Sequence, residues 1–376
     1  MSTIMTASRE YASRPKDERF ESIHALVQDA AHDKQLSAER AYNLKDLKVI
    51  AIDQQAEYVP GAWATDDRYS LRLESPKGRA KFTHWSFGQT CRMLGAPAAY
   101  LRDLPPAIAA DALNFGLQSS AHGETANLLV KANGGEPIVR ACTSDSYGRC
   151  WDSDLYGSVA NLLTDRDPSW SLPPVWGGGV AGAYRGDRDS FLIVTNGGSI
   201  VNDPSAGNDG TMYRGLMIRN SEVGASSVVI ETILYRYICG NHMLWGALYD
   251  SRFKRRHVGS HVTRDVVREI GRIAVQWAQA SPARDNAIIR TLIDREIAHS
   301  KEAVIDELRK MGATKDQAES AYMLCEQTER VSPRSFWGAA QGLTRLSQQA
   351  GYQDERYDLD RLAAVIMAKG AKLVAA

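Results

Sequence analysis

Arginines and tyrosines interleaved through the middle of the chain are the residues best suited to chemistry. Tyr184-Arg185, Arg188, Tyr213-Arg214, Arg219 and Tyr235-Arg236-Tyr237 recur there, and Arg252, Phe253, Lys254, Arg255, Arg256 and His257 follow as a dense cationic run. Guanidinium and ammonium groups attract phosphates by charge, and aromatic faces stack on unpaired bases without reading sequence. Together they are the chemistry of a single-stranded nucleic acid site. The plainer reading is a solvated face balanced by Asp187, Asp189, Glu222 and Glu231.

Other constellations compete with that one. Cys239 with His242, and His257 with His261, have residue types and spacings compatible with tetrahedral zinc. Against zinc, Cys239 follows a strongly apolar stretch and reads as a small core residue, while Gly259 interrupts any helix between the two histidines. The carboxylate pairs Asp66/Asp67, Asp152/Asp154 and Asp187/Asp189 could bind a divalent cation or serve acid–base catalysis. Each sits in a turn-like stretch, where Asp is favoured for local hydrogen bonding. The glycine-rich segment from Trp176 to Gly182 lacks the spacing and the lysine of a phosphate cradle. There is no G-x-x-x-x-G-K-[ST], no G-x-S-x-G and no H-E-x-x-H, so no motif argues for an ATPase, a serine hydrolase or a zinc protease.

These residues need a scaffold, and the composition supplies one. The 376 residues are 44% hydrophobic and 24% charged, ordinary for a globular chain of two or three units. Lys plus Arg and Asp plus Glu are 45 each, so the net charge is zero. Coating of nucleic acid by bulk charge is excluded, whereas a local basic face is not. Five scattered cysteines without a C-x-x-C pair argue against a disulfide framework and for a reducing cytoplasm. No apolar run is long enough to span a bilayer, and Met1 to Arg19 has no signal-peptide pattern.

Periodicity places the elements. Residues 1–45 read as an N-terminal arm or surface helix, with Ile23, Leu26 and Val27 at helical spacing. Residues 46–260 read as an α+β core. Val49–Ile52 and Tyr69–Leu73 look like strands, separated by Pro60-Gly61 and Asp66-Asp67. Ser86 and Gln89 fit a capping box, and Phe87, Cys91 and Leu94 share the face of the helix it would start. A second helix after Pro105-Pro106 should turn Ile108, Leu113 and Leu117 inward. Leu128–Lys131 and Ile138–Cys142 flank Asn133-Gly134-Gly135, a hairpin signal. Phe191–Thr195, Tyr213–Asn220 and Ser227–Tyr237 read as consecutive strands joined by turns at Asn196-Gly197-Gly198 and Glu222-Val223-Gly224. Alternation puts Arg214 and Arg219 on opposite faces of their strand. Residues 261–376 read as all-helical, with the stripe Val262, Val266, Ile270, Ile273 and Trp277. Ile288 to Leu308 follows, and Thr314 with Gln317 forms another capping box. The fold class is therefore α+β: an antiparallel, hairpin-rich sheet packed with helices, followed by an all-helical C-terminal region.

Gly182 to Phe191, Tyr213 to Gly224 and Leu234 to His242 resemble the phage/plasmid-like family of unknown function DUF932. Gln89-Thr-Cys91, Gly95-Ala-Pro97 and Val139 to Tyr147 look like the same family, and Phe336-Trp-Gly338 is more weakly similar. The resemblance implies a gene of phages, prophages and plasmids and supplies no catalytic residue. Strand hairpins followed by a helix, with basic residues along the sheet, also look like the Rad-fifty-two type of single-strand annealing fold. That analogy implies rings or filaments holding ssDNA backbone in a basic groove, without ATP.

The expectation is a cytoplasmic, non-enzymatic phage- or plasmid-type protein. It would bind single-stranded DNA and promote ATP-independent annealing in homologous recombination, as a homo-oligomer and without cofactor or membrane. Arg185, Arg188, Arg214, Arg219, Arg236, Lys254, Arg255 and Arg256 would contact phosphates, and Tyr213, Tyr235 and Tyr237 would support the groove or stack on bases. The alternatives are a metal-dependent nucleic-acid or nucleotide enzyme using Asp187, Asp189 or the Cys239/His242 group, and an interaction protein acting on a host or phage partner.

Overall fold

The computed structural model describes residues 15–52, 71–119, 124–132, 134–175, 179–237, 241–249 and 252–372. The first part of the chain forms β1 (Glu18–Phe20), α1 (Ile23–Leu36), β2 (Ser37–Asn43), β3 (Lys48–Ala51), β4 (Leu71–Ser75) and β5 (Gly78–Phe82). Then come α2 (His84–Met93), α3 (Ala98–Arg102), α4 (Pro106–Ser119), β6 (Thr125–Lys131), β7 (Ile138–Thr143) and α5 (Asp152–Val159). The middle holds β8 (Trp170–Ser171), β9 (Ala183–Arg185), β10 (Ser190–Asn202), β11 (Thr211–Asn220), β12 (Val228–Arg236), β13 (Asn241–Leu244), α6 (Gly246–Tyr249) and β14 (Phe253–Arg255). The rest is helical: α7 (Val262–Ala278), α8 (Pro282–Asp294), α9 (Lys301–Lys310), α10 (Lys315–Thr328), α11 (Phe336–Ser347) and α12 (Gln353–Lys372). The turn pairs Pro60-Gly61 and Asp66-Asp67, the first residues of the strand read from Tyr69, and Asn133 and Cys239 lie outside the described residues.

Two sheets result. The larger runs β1-β9-β10-β11-β12-β13, with β8 on β10 and β14 on β12, and all its pairings are antiparallel. Its centre is the meander read from the sequence, in register Val194↔Leu216↔Thr232. All nine residues of β12 are buried, as a near-continuous apolar strand covered on both faces must be. The smaller sheet runs β2-β6-β7-β5-β4-β3 and is antiparallel except where β5 meets β7. Its core gathers Leu71, Leu73, Phe87, Leu113, Leu117 and Leu128 beneath α2 and α4.

The segment expected as an arm builds into both sheets. β1 pairs with β9 in the larger and β2 with β6 in the smaller. Between them Ser22 caps α1, its hydroxyl accepting from the Ala25 amide at 3.0 Å. Two other expectations shift at element ends. The capping box of α2 is Thr83 with Ser86, not Ser86 with Gln89, because Gln89 is occupied elsewhere. Its amide donates to the Val223 carbonyl at 2.7 Å and its oxygen accepts from the Cys142 amide at 3.0 Å. Asn196-Gly197-Gly198 does not turn the chain. β10 continues through it as a bulge, the register jumping from Asn196↔Arg214 to Ile200↔Tyr213.

In the helical region Val262, Val266, Ile270, Ile273 and Trp277 are all buried, as their spacing requires. The Thr314–Gln317 capping box is present. The stretch from Ile288 to Leu308 is two helices, since Ile297 leaves the helical ladder to donate to the Arg334 carbonyl at 2.7 Å and Ser300 caps α9. On α4, Leu113 and Leu117 are buried, but Ile108 is 55% exposed and Ala109 and Ala110 take the inward positions. Among the described residues, no helix is long and apolar enough to cross a membrane.

Candidate nucleic-acid interface

The strand arginines do not line a groove. Arg214 is 1% exposed, ion-paired with Asp285 of α8, bonded to the Ser199 hydroxyl at 3.1 Å, and 4.9 Å from the centre of the Trp277 ring. Arg219 points to the other face, as alternation demands. It meets Asp189 at 2.6 Å and lies over Phe191 and Tyr357. Arg236 is held by Glu329 of the α10 C-terminal turn at 2.6 Å. Arg185 sits among Asp29, Asp33, Asp152 and Glu222. Burial opposes its charge, but Asp152, Glu222 and Asp33 together hold its guanidinium above the ordinary arginine range. Arg188 stands 3.7 Å from Asp187 and over the Trp85 ring.

Pulling Arg185, Arg214, Arg219 or Arg236 onto a phosphate would strand a buried carboxylate, at a cost of about 3–5 kcal/mol. Arg185, Arg214, Arg219 and Arg236, expected on a phosphate track, are thus engaged by carboxylates around the larger sheet, and Arg188 is buried beside Asp187 and the Trp85 ring. The tyrosines follow. Tyr235 is buried with its hydroxyl donating to the Pro174 carbonyl at 2.7 Å, while Tyr213 and Tyr237 are half-buried.

The cationic run behaves differently. β14 is a short strand on the sheet margin, and Lys254 and Arg256 are exposed while Arg255 is half-buried beside Asp265 at 3.3 Å. α7 packs beside it and continues the charge. Its buried stripe leaves the opposite side to Arg264, Arg268 and Arg272, whose side chains are 72%, 76% and 54% exposed. A spacing of four residues advances about 6 Å along a helix, so the three guanidiniums form a row. From Phe253 to Ala278 there are six Lys and Arg against only Asp265 and Glu269. Those two carboxylates pair along the row, with Arg272 on Glu269 at 2.7 Å, and leave an excess of positive charge on one side of a neutral molecule. Sequence reasoning missed these helical arginines. Their four-residue spacing, complementary to the apolar stripe, was the signal.

A cavity of about 500 Å³ opens at the C-terminal end of this row. Arg252, Phe253, Arg272, Gln276, Trp277 and Arg284 line it. Asp285 also borders it, held by the Trp245 indole at 2.8 Å and by Arg214, so that carboxylate is already neutralised. Arg252 is braced by Glu231 at 2.8 Å. The volume lies in the range of small-ligand sites, and the walls combine an aromatic surface with guanidiniums.

Among the described residues no group of three or more His, Cys, Asp or Glu is arranged to hold a metal ion, and the four carboxylates that do gather are filled by the Arg185 guanidinium. His242 is buried with Nδ1 3.7 Å from Asp360, and burial with the charge of Arg356 pushes its pKa down to about 4. His257 stacks on Tyr147 at 5.1 Å, and burial likewise pushes it down to about 4. His261 is exposed where α7 begins. Asp187 and Asp189 are engaged by Arg188 and Arg219. Asp152 is raised to about 6 by burial and by Glu222, but it is locked by Ser190 at 2.6 Å and Asn220 at 2.7 Å inside the core.

A family described as a domain of unknown function, DUF932, matches residues 176–362. That span carries the meander, β14, the arginine row and the cavity. No curated protein and no solved structure matches the chain.

Proposed function

Through residues 176–362 this chain belongs to the DUF932 domain family, and we propose that it binds single-stranded DNA on the face built from β14 and α7, without making or breaking covalent bonds. The observation that carries this reading is the exposed row Arg264, Arg268 and Arg272, continued by Lys254, Arg255 and Arg256. A polyanion laid along it displaces counterions, which is the main source of sequence-independent affinity. The cavity beside Arg272 favours an unpaired strand over a duplex, because its lining of Phe253, Trp277 and guanidiniums suits an unstacked base. In this reading the bound strand is held by its backbone, and ATP-independent annealing with a complementary strand, as in phage or plasmid recombination, is the activity served. Self-association would multiply the few contacts each chain makes.

Fluorescence anisotropy with a labelled oligodeoxythymidylate across a salt series tests it. Affinity should fall steeply as salt rises, and the double reversal Arg264→Glu/Arg268→Glu should weaken binding at least about tenfold at low salt and flatten the salt dependence. Both positions face solvent, so stability should move by no more than about 0.5 kcal/mol. No binding at low salt, or equal binding by the reversal variant, overturns the proposal. An enzymatic reading is favoured by no observation on the site.

A further inference from the structure

A second cationic hollow lies in the smaller sheet's layer and is lined by no residue of the β14–α7 face. It is a cavity of about 400 Å³ bounded by one side of α2 from His84 to Arg92, by the corner from Gly95 to Ala98 and by Arg102 of α3. Arg92 lines it, is exposed, and pairs with no carboxylate among the described residues. Arg102 lines it from the other helix, its Nη2 donating to the His84 carbonyl at 2.9 Å. Gly88 makes this approach possible: a Cβ there would stand 3.2 Å from Arg102 Nη2, so the guanidinium rests almost on the helix backbone. Trp85 forms the wall, with the guanidinium of Arg92 6.0 Å from its ring and that of Arg188, reaching over from the larger sheet, 5.3 Å from it.

No lining residue is acidic. The remaining titratable wall, His84, is pushed down to about 3 by burial and by Arg102 and Arg188, so it stays neutral and neither repels nor neutralises an anion. Facing the cavity from α2 are Arg92 and His84, from α3 Arg102, and behind Trp85 stands Arg188 with Asp187 at 3.7 Å from it. A concave site with two guanidiniums, an indole wall and no carboxylate in its lining is suited to a tetrahedral oxyanion bound by charge-assisted hydrogen bonds.

The geometry points to a phosphate-binding site between α2 and α3, in which Arg92 and Arg102 clamp the phosphoryl group of a small phosphorylated metabolite or of a nucleic-acid backbone. The site does not depend on the single-strand reading and stands or falls separately from it.

Isothermal titration and thermal shift of the full chain with inorganic phosphate, against chloride at equal ionic strength, provide the test. Phosphate should bind and raise the melting temperature more than chloride does. Arg92→Glu should weaken phosphate at least about tenfold, Arg92→Lys less, and Arg256→Glu not at all, the last separating this site from the β14–α7 face. Since Arg102→Ala could loosen the α2–α3 corner, it is read only after its unliganded melting temperature is shown to match that of the unaltered chain. Competition identifies the source: displacement of phosphate by oligodeoxythymidylate assigns the site to a strand phosphate, and displacement by a nucleoside monophosphate alone assigns it to a small molecule. Equal effects of phosphate and chloride, or an unchanged phosphate affinity in Arg92→Glu, overturn the inference.

Discussion

Arginine is placed in two opposite ways within one domain. In the meander, Arg214, Arg219 and Arg236 are internal, each closed by a carboxylate from a neighbouring element; on α7, Arg264, Arg268 and Arg272 are turned outward. The difference comes from the layers. β11 and β12 lie in the middle of a sheet covered on both sides, so neither of the two directions available to a strand residue leads to water. α7 packs one stripe on the sheet and must leave its other side in solvent. Thus a basic residue on a central strand has to bring its own counter-charge, whereas a basic residue opposite a helix stripe is available to a partner.

The largest effect that would sharpen this contrast is at Arg214. Arg214→Ala leaves Asp285 buried without its ion-pair partner and should lower unfolding free energy by about 3–5 kcal/mol in a denaturant titration, with ssDNA affinity of the folded fraction unchanged. A loss below about 1 kcal/mol would mean the pair is not a fastening. Next in size is acid sensitivity. His84, His242 and His257 all have pKa values lowered by burial, so as pH falls below about 6.5 the unfolded chain takes up protons that the folded chain refuses. Stability should therefore decline between about pH 6.5 and 4. The raised Asp152 acts in the opposite sense over part of that window, since the folded form holds its proton up to about pH 6. His257→Gln should flatten the acid slope by about 1.4 kcal/mol per pH unit, read from urea midpoints at successive pH values. Affinity for ssDNA per folded molecule should stay level while stability falls. Smallest is the edge of the basic face: Lys254→Ala/Arg256→Ala should reduce ssDNA affinity only a few-fold and leave the melting temperature in place. A larger loss there than in the Arg264/Arg268 reversal would move the centre of the interface from α7 to β14.

Much of the scaffold could be read in advance, for local reasons. The α7 stripe, the Thr314–Gln317 box and the order of the three meander strands depend on spacings within one element or one turn. Errors fell where a local signal was diverted by a distant group. Ser86 and Gln89 have capping-box spacing, yet Gln89 spans instead from Cys142 to Val223. Asn196-Gly197-Gly198 has turn chemistry, yet the Asn196 side chain accepts from the Gly198 amide within a bulge and the strand goes on to Asn202. Ile108 falls on the inward spacing of α4, but alanines at the neighbouring positions let that helix pack more closely on another face.

What the residues determined unaided is the alternation and the helical period: which sides are apolar, and that Arg214 and Arg219 oppose one another across β11. What only the folded chain decided is the charge partner of each arginine. Asp285 lies 71 residues from Arg214 and Glu329 lies 93 from Arg236, distances in sequence over which no spacing rule acts. Attraction between charges is long-ranged and carries no register, so a pair forms wherever packing happens to bring opposite signs together out of water, and packing is a property of the whole fold.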